Sequence, residues 1–224
     1  FSIFNLFFHF LVIMKYMQEK IPEKKYLYHM VPNDMTLDEN GNAILYPLNM
    51  LKEKFPELYE VKIQKYKNDP QHPERTSIPE KLVPTLKDAA WGDVVQLSPI
   101  HPKDLIELLK SEGFNYKHLK FYQVDPNKLN PENTTIFLYK KDVIDSDPEN
   151  YSEFSEEKLK EHSVLPQRTK DYYRNIKNHN EATPNKEEKT KLYLFIGVPH
   201  VFHKGPIDVS NFPVISAEQI EETT

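Results

Sequence analysis

The order of its predicted elements makes this an α+β chain. Helical patterns collect in the first half and strand patterns in the second, so they do not alternate as βαβ units would. Eighteen prolines against five glycines cut the 224 residues into short pieces, which excludes helical bundles and repeat arrays. The clearest helix is residues 101–112, where Leu105, Ile106, Leu108 and Leu109 form one apolar stripe behind Pro102, and Gly113 stops it.

The other elements follow in chain order. Residues 26–31 (YLYHMV) are apolar on both parities and stop at Pro32, as a strand covered on both sides would. Residues 38–42 (DENGN) make a turn before a short strand at 43–46. Pro47 and Pro56 each open a helix, over 47–55 and 56–66, at first-turn positions where the missing N–H costs nothing. Residues 67–90 read as an irregular, proline-rich loop. Residues 94–98 (VVQLS) are a strand with Gln96 and Ser98 on one face and Val95 and Leu97 on the other. Strands at 121–124 and 135–139 flank a turn, and further strands are predicted at 191–198 and 213–216.

Two segments stand apart. Residues 1–13 are apolar but too short to span a bilayer, which takes about 20 residues. They also lack the basic start and small-residue cleavage site of a signal peptide. We read 1–20 as an N-terminal extension outside the fold, with 1–13 translated upstream sequence or, second, a membrane or partner anchor. Residues 145–190 carry 19 charged and 9 apolar side chains and no glycine. That composition predicts a charged, partly disordered insertion, with short amphipathic pieces at 155–162 and 170–177. It leaves 21–144 and 191–216 as one α+β domain.

Composition narrows the function classes. With no cysteine, disulfides, a thiol nucleophile and thiolate zinc sites are excluded. A formal charge of −5 with no long basic run gives no reason to expect nucleic acid as a bulk partner. The chain is expected to be cytoplasmic and to have no membrane span. No phosphate-binding glycine loop or nucleophile elbow is present. His200 and His203 lie three apart; on a strand that spacing sends them to opposite faces, which argues against a two-histidine metal clip. His29, taken alone, reads as a strand-end residue with one satisfied hydrogen bond.

In order, however, the strand-end pieces form a pattern: Tyr28-His29, then GNAILYP at 41–47, VVQLS at 94–98, VDPNKL at 124–129 and VPHVFHKGPI at 198–207. This order resembles the ADP-ribosyltransferase-like superfamily, including RNA 2′-phosphotransferases. It is closer still to a family of short bacterial domains of unassigned function with the pattern YH, FIHCS, IDPxxL and FPHLYGPL. The resemblance implies a split, strongly bent β-sandwich, helices concentrated in the N-terminal half, whose cleft holds the nicotinamide and adjoining ribose of NAD. Carried over by residue, His29 and His200 would be catalytic. His29, Tyr28, Gln96 and Ser98 would bind the cofactor, with His29 on a ribose hydroxyl and Ser98 against the nicotinamide. No metal is implied.

Two departures stand out. Gln96 replaces the histidine of FIHCS, and no glutamate lies near the last strand, where Asp208 is the nearest acid. The leading expectation is an ADP-ribosyltransferase-like protein that binds a nucleotide, NAD or a relative, and transfers ADP-ribose to a protein or RNA acceptor. A non-catalytic interaction module on the same fold is the first alternative. A metal-independent ribonuclease using His29, His200 and His203 is the second.

Overall fold

A computed structural model of the protein describes residues 25–67, 73–140, 146–183 and 192–222. The N-terminal extension and residues 145 and 184–190 of the expected insertion lie outside them. The described chain is α+β with antiparallel strands throughout. One sheet is ordered β1 (Leu27–Met30), β5 (Lys120–Val124), β10 (Val214–Ser216). A second is β4 (Val94–Leu97), β8 (His200–Lys204), β6 (Thr134–Phe137), β7 (Tyr151–Glu153). A small third sheet joins β2 (Thr36–Leu37), β3 (Ala43–Leu45) and β9 (Ile207–Asp208). None of the three is closed.

A single bridge ties the first two sheets together. Tyr28 and Ser98 exchange both backbone hydrogen bonds at 2.8 Å. Beyond that pair β1 and β4 separate; continued antiparallel pairing would have set His29 beside Leu97 and Met30 beside Gln96. One face of this joined, bent surface carries Leu27, Val95, Leu97, Val124, Ile136 and Val201 in a shared apolar core. The other face is covered by two further clusters, one around Trp91, Phe137 and Phe202, the other around Leu105, Leu109, Phe121 and Tyr173.

The predicted helices of the first half form close to where the pattern puts them. They are α1 (Leu48–Lys54), α2 (Pro56–Lys67) and α3 (Pro102–Ser111). His101 caps α3, its Nδ1 accepting from the Lys103 N–H at 3.0 Å. Helices are not concentrated in the N-terminal half, however. After α4 (Glu156–Glu161), α5 (Gln167–Ala182) is 16 residues long against 12 for α2, and α6 (Ala217–Glu222) follows β10.

Over 146–183 the segment expected as a charged insertion packs against the rest of the described chain, with α4 and α5 at the two amphipathic pieces expected at 155–162 and 170–177. β7 pairs with β6, and Leu159, Thr169, Tyr173 and Ile176 are buried. A polar mean composition is compatible with this, because α5 sorts its residues. Thr169, Tyr173 and Ile176 recur at i, i+4 and i+7 on the buried face, while Lys170, Asp171 and Arg174 stay exposed. A few large apolar groups on one stripe suffice to dock a helix whose average is polar.

The strand expected at 191–198 is also displaced. Residues 194–197 form a turn, with Phe195 at φ 60° and Gly197 at φ 72°, and the strand is β8 instead. An unbroken apolar run carries no period to separate strand from turn. β8 lies between β4 and β6, which explains why Val201, Phe202 and His203 are all buried. The proline-rich loop likewise contributes to the core through Ile78, Val83, Leu86 and Ala89.

Candidate functional site

The gap where β1 leaves β4 opens into a cavity of about 330 Å³, at the small end of ligand pockets (about 300–1,000 Å³). Tyr28, His29, Gln96, Ser98 and His200 all border it. They come from β1, from β4 and its bridge, and from the start of β8, so the fold gathers all five sequence-predicted residues at one place. Strand parity adds a detail. Tyr28, Ser98, Gln96 and His200 lie on one face of the bridged strands and His29 on the other. The two histidines therefore border the opening from different sides.

Each imidazole has its tautomer set by a carbonyl, which can only accept. His29 Nδ1–H donates to the Met30 carbonyl at 2.6 Å, and His200 Nδ1–H to the Val198 carbonyl at 2.8 Å. Nε2 of each neutral ring is left as an acceptor. Desolvation pushes His29 down to about 4 against the opposing pull of its Met30 bond, with Lys65 and Lys62 lowering it further. Burial also takes His200 down to about 4, opposed by the Val198 carbonyl. Both rings are neutral at pH 7. Neither can serve as a general acid there, which requires a pKa near the working pH.

The remaining polar groups differ in availability. Ser98 is buried and its Oγ accepts from the Ile100 N–H at 3.1 Å, so it shapes the turn after β4 as well as the wall. The half-buried Gln96 amide makes no hydrogen bond to a described residue, which leaves donor and acceptor for a ligand. His203 sits elsewhere. Thr134 Oγ1 spends its proton on the Asn130 carbonyl, so His203 Nδ1–H donates to that hydroxyl at 2.8 Å on the opposite face of β8. Asp208 accepts from the Ser210 N–H at 2.9 Å and is not part of the cavity wall.

The sequence reading missed much of the wall. Tyr46, Tyr66, Trp91 and Phe195 supply aromatic surface, and Asp34, Lys62 and Lys65 its charge. Phe195 arrives by way of α5. Arg168 Nε–H donates to the Gly197 carbonyl at 2.8 Å, and its guanidinium also holds the carbonyls of Leu138 and Tyr139. Thr169 Oγ–H donates to the Ile196 carbonyl at 2.9 Å and Tyr173 O–H to the Tyr193 carbonyl at 3.2 Å. These bonds hold a non-glycine residue in the left-handed region beside the cavity, a conformation that costs about 1–3 kcal/mol. The charged segment thus braces the turn that supplies one wall of the site.

Comparison of the chain with known protein families, curated proteins and solved structures finds no match. Among the described residues no group of three or more His, Asp or Glu side chains is placed to hold a metal ion. No described helix is long and apolar enough to cross a membrane.

Proposed function

We propose that the cavity binds a nucleotide, NAD or a close relative, in an ADP-ribosyltransferase-like cleft at the split between β1 and β4. The observation that carries this reading is convergence. Five residues assigned from three separate motifs, spread from position 28 to position 200, border one cavity beside an opened strand pair. The chemistry fits. Two Nε2 acceptors suit ribose hydroxyls, which donate, and the Gln96 amide can pair with a carboxamide, which both donates and accepts. Aromatic walls suit a flat ring.

NAD bound there would supply an electrophilic ribose carbon with nicotinamide as leaving group. In this reading His29 and His200 fix the ribose from two sides, Gln96 orients the carboxamide, and Ser98 closes the floor. Positive charge that develops on the ribose needs a facing carboxylate. Among the described residues Asp34 is the one acid that borders the cavity. The acceptor of ADP-ribose in this reading is a protein or RNA. One observation favours the non-catalytic alternative: Asp208, the acid nearest the last strand pair, is engaged with Ser210 outside the cavity. The ribonuclease reading lacks its general acid, since His203 points away and the other two rings are neutral.

His29→Ala tests the assignment. Calorimetric titration with NAD and with ADP-ribose should show binding weakened about three- to tenfold, the equivalent of one hydrogen bond. Denaturant unfolding of the same variant should change by under about 1 kcal/mol, because the ring's one bond is to its neighbour's carbonyl. Unchanged binding with a clear loss of stability would assign His29 to the core and remove the reading.

A further inference from the structure

We propose that Lys62 and Lys65 form an anion subsite in the cavity wall, so that the ligand is a phosphorylated nucleoside whose phosphate is held by the two ammonium groups. The inference rests on the nucleotide reading above and adds to it the phosphate and its partners.

The argument starts from α2. Tyr59, Ile63 and Tyr66, at i, i+4 and i+7, pack into the cluster around Trp91 and Phe202. The neighbouring stripe, Leu58, Lys62, Lys65 and Tyr66, borders the cavity. Its spacing of i, i+4, i+7 and i+8 is that of a face turned to an apolar core, yet two of its four positions are lysines. Lys65 is exposed, and a solvated surface would account for it alone. Lys62 is half-buried, and no ion pair joins it to a described residue. Its pKa is lowered by desolvation in spite of the attraction of Asp34, so the charged form is held there at a cost that a bound anion would remove. Lys65 Nζ lies 4.9 Å from the centroid of the Tyr66 ring, not against a carboxylate.

Charge along the wall points the same way. Asp34 stands against Lys62 and Lys65, and both histidines are neutral, so the charged residues of the cavity sum to +1 (two lysines less one aspartate) in a chain of net −5. Both lysines border the same cavity as His29, the ring assigned to the ribose, and their charge lowers its pKa further. A phosphate on that sugar is the anion such an arrangement would take. Lysine binds it as a point charge without demanding a fixed fork.

Calorimetry with nicotinamide riboside, nicotinamide mononucleotide and pyrophosphate tests this, on the wild type, on Lys62→Gln/Lys65→Gln and on Lys65→Gln. Glutamine keeps most of the aliphatic stem, and the exposed Lys65→Gln change leaves the fold out of question if the double variant unfolds. The mononucleotide should bind the wild type at least about tenfold tighter than the riboside, since one charge-assisted bond is worth about that factor. Lys65→Gln should cut the advantage and the double variant should abolish it, with riboside affinity unchanged. A mononucleotide no tighter than the riboside, or an advantage that survives in both variants, overturns the subsite while leaving the nucleotide reading intact. Pyrophosphate that binds only when the lysines are present, with neither nucleoside bound, supports the anion subsite and removes the nucleotide reading. No binding of any probe overturns both.

Discussion

Tyr173→Ala should lower the free energy of unfolding by about 3–5 kcal/mol, the range for deleting a buried aromatic ring. Tyr173 is fully buried from the middle of α5, edge-on to Phe114 and Tyr172 and inside the cluster formed by α3, α6 and β5. Total stabilities run about 5–15 kcal/mol, so this one change should bring the protein close to its unfolding threshold. Tyr173→Phe separates ring from hydroxyl. It keeps the packing and loses only the bond to the Tyr193 carbonyl, for about 1 kcal/mol. Denaturant unfolding of both variants checks the pair. A small effect of Tyr173→Ala would mean that α5 rests outside the core, and the wall that carries Phe195 would lose its support.

Stability should also fall steeply as pH drops from 6.5 toward 4. His29 and His200 titrate at 6.5 in the unfolded chain and near 4 in the fold. Across that window the unfolded state binds more protons, so stability rises with pH there and is lost as pH falls. Each ring contributes a slope of up to about 1.4 kcal/mol per pH unit, which fades through 6.5 and is gone about one unit above it, where both states are neutral. Burial lowers His203 and His162 as well, which adds in the same direction. Asp38, held down by hydrogen bonds from Asn42, and Glu221, held down by Lys110 and Tyr116, lose their stabilising effect only at lower pH, within and below the carboxylate range. Unfolding at pH 7.5, 6 and 5 should therefore show a loss that His29→Asn and His200→Asn each reduce. An equal slope in wild type and variants would mean that neither ring is protected from protonation by the fold.

Much of this arrangement was legible before the structure. α1, α2 and α3 announce themselves through first-turn prolines and an apolar stripe. The alternation of residues 94–98 placed Gln96 and Ser98 on one face of β4. The spacing of His200 and His203 correctly separated them once β8 formed. What escaped detection has identifiable causes. The amphipathic piece read at 170–177 caught Tyr173 and Ile176, but composition averaged over 145–190 hid that the helix runs from 167 to 182 and docks on the core, because three buried residues barely move a mean. The apolar run before Pro199 had no period, so the turn set by Phe195 and Gly197 passed as a strand. Lys62 and Lys65 carried no motif to single them out, although their i, i+3 spacing between Leu58 and Tyr66 was a signal of a cavity-facing stripe.

The most direct measurement follows the ring nitrogens of the histidines by NMR during a titration with NAD and with ADP-ribose. The nucleotide reading predicts that the Nε2 shifts of His29 and His200 move together along one saturable curve, while His203, engaged with Thr134, stays in place. Saturable binding that leaves both His29 and His200 unmoved, or no binding at all, would contradict it.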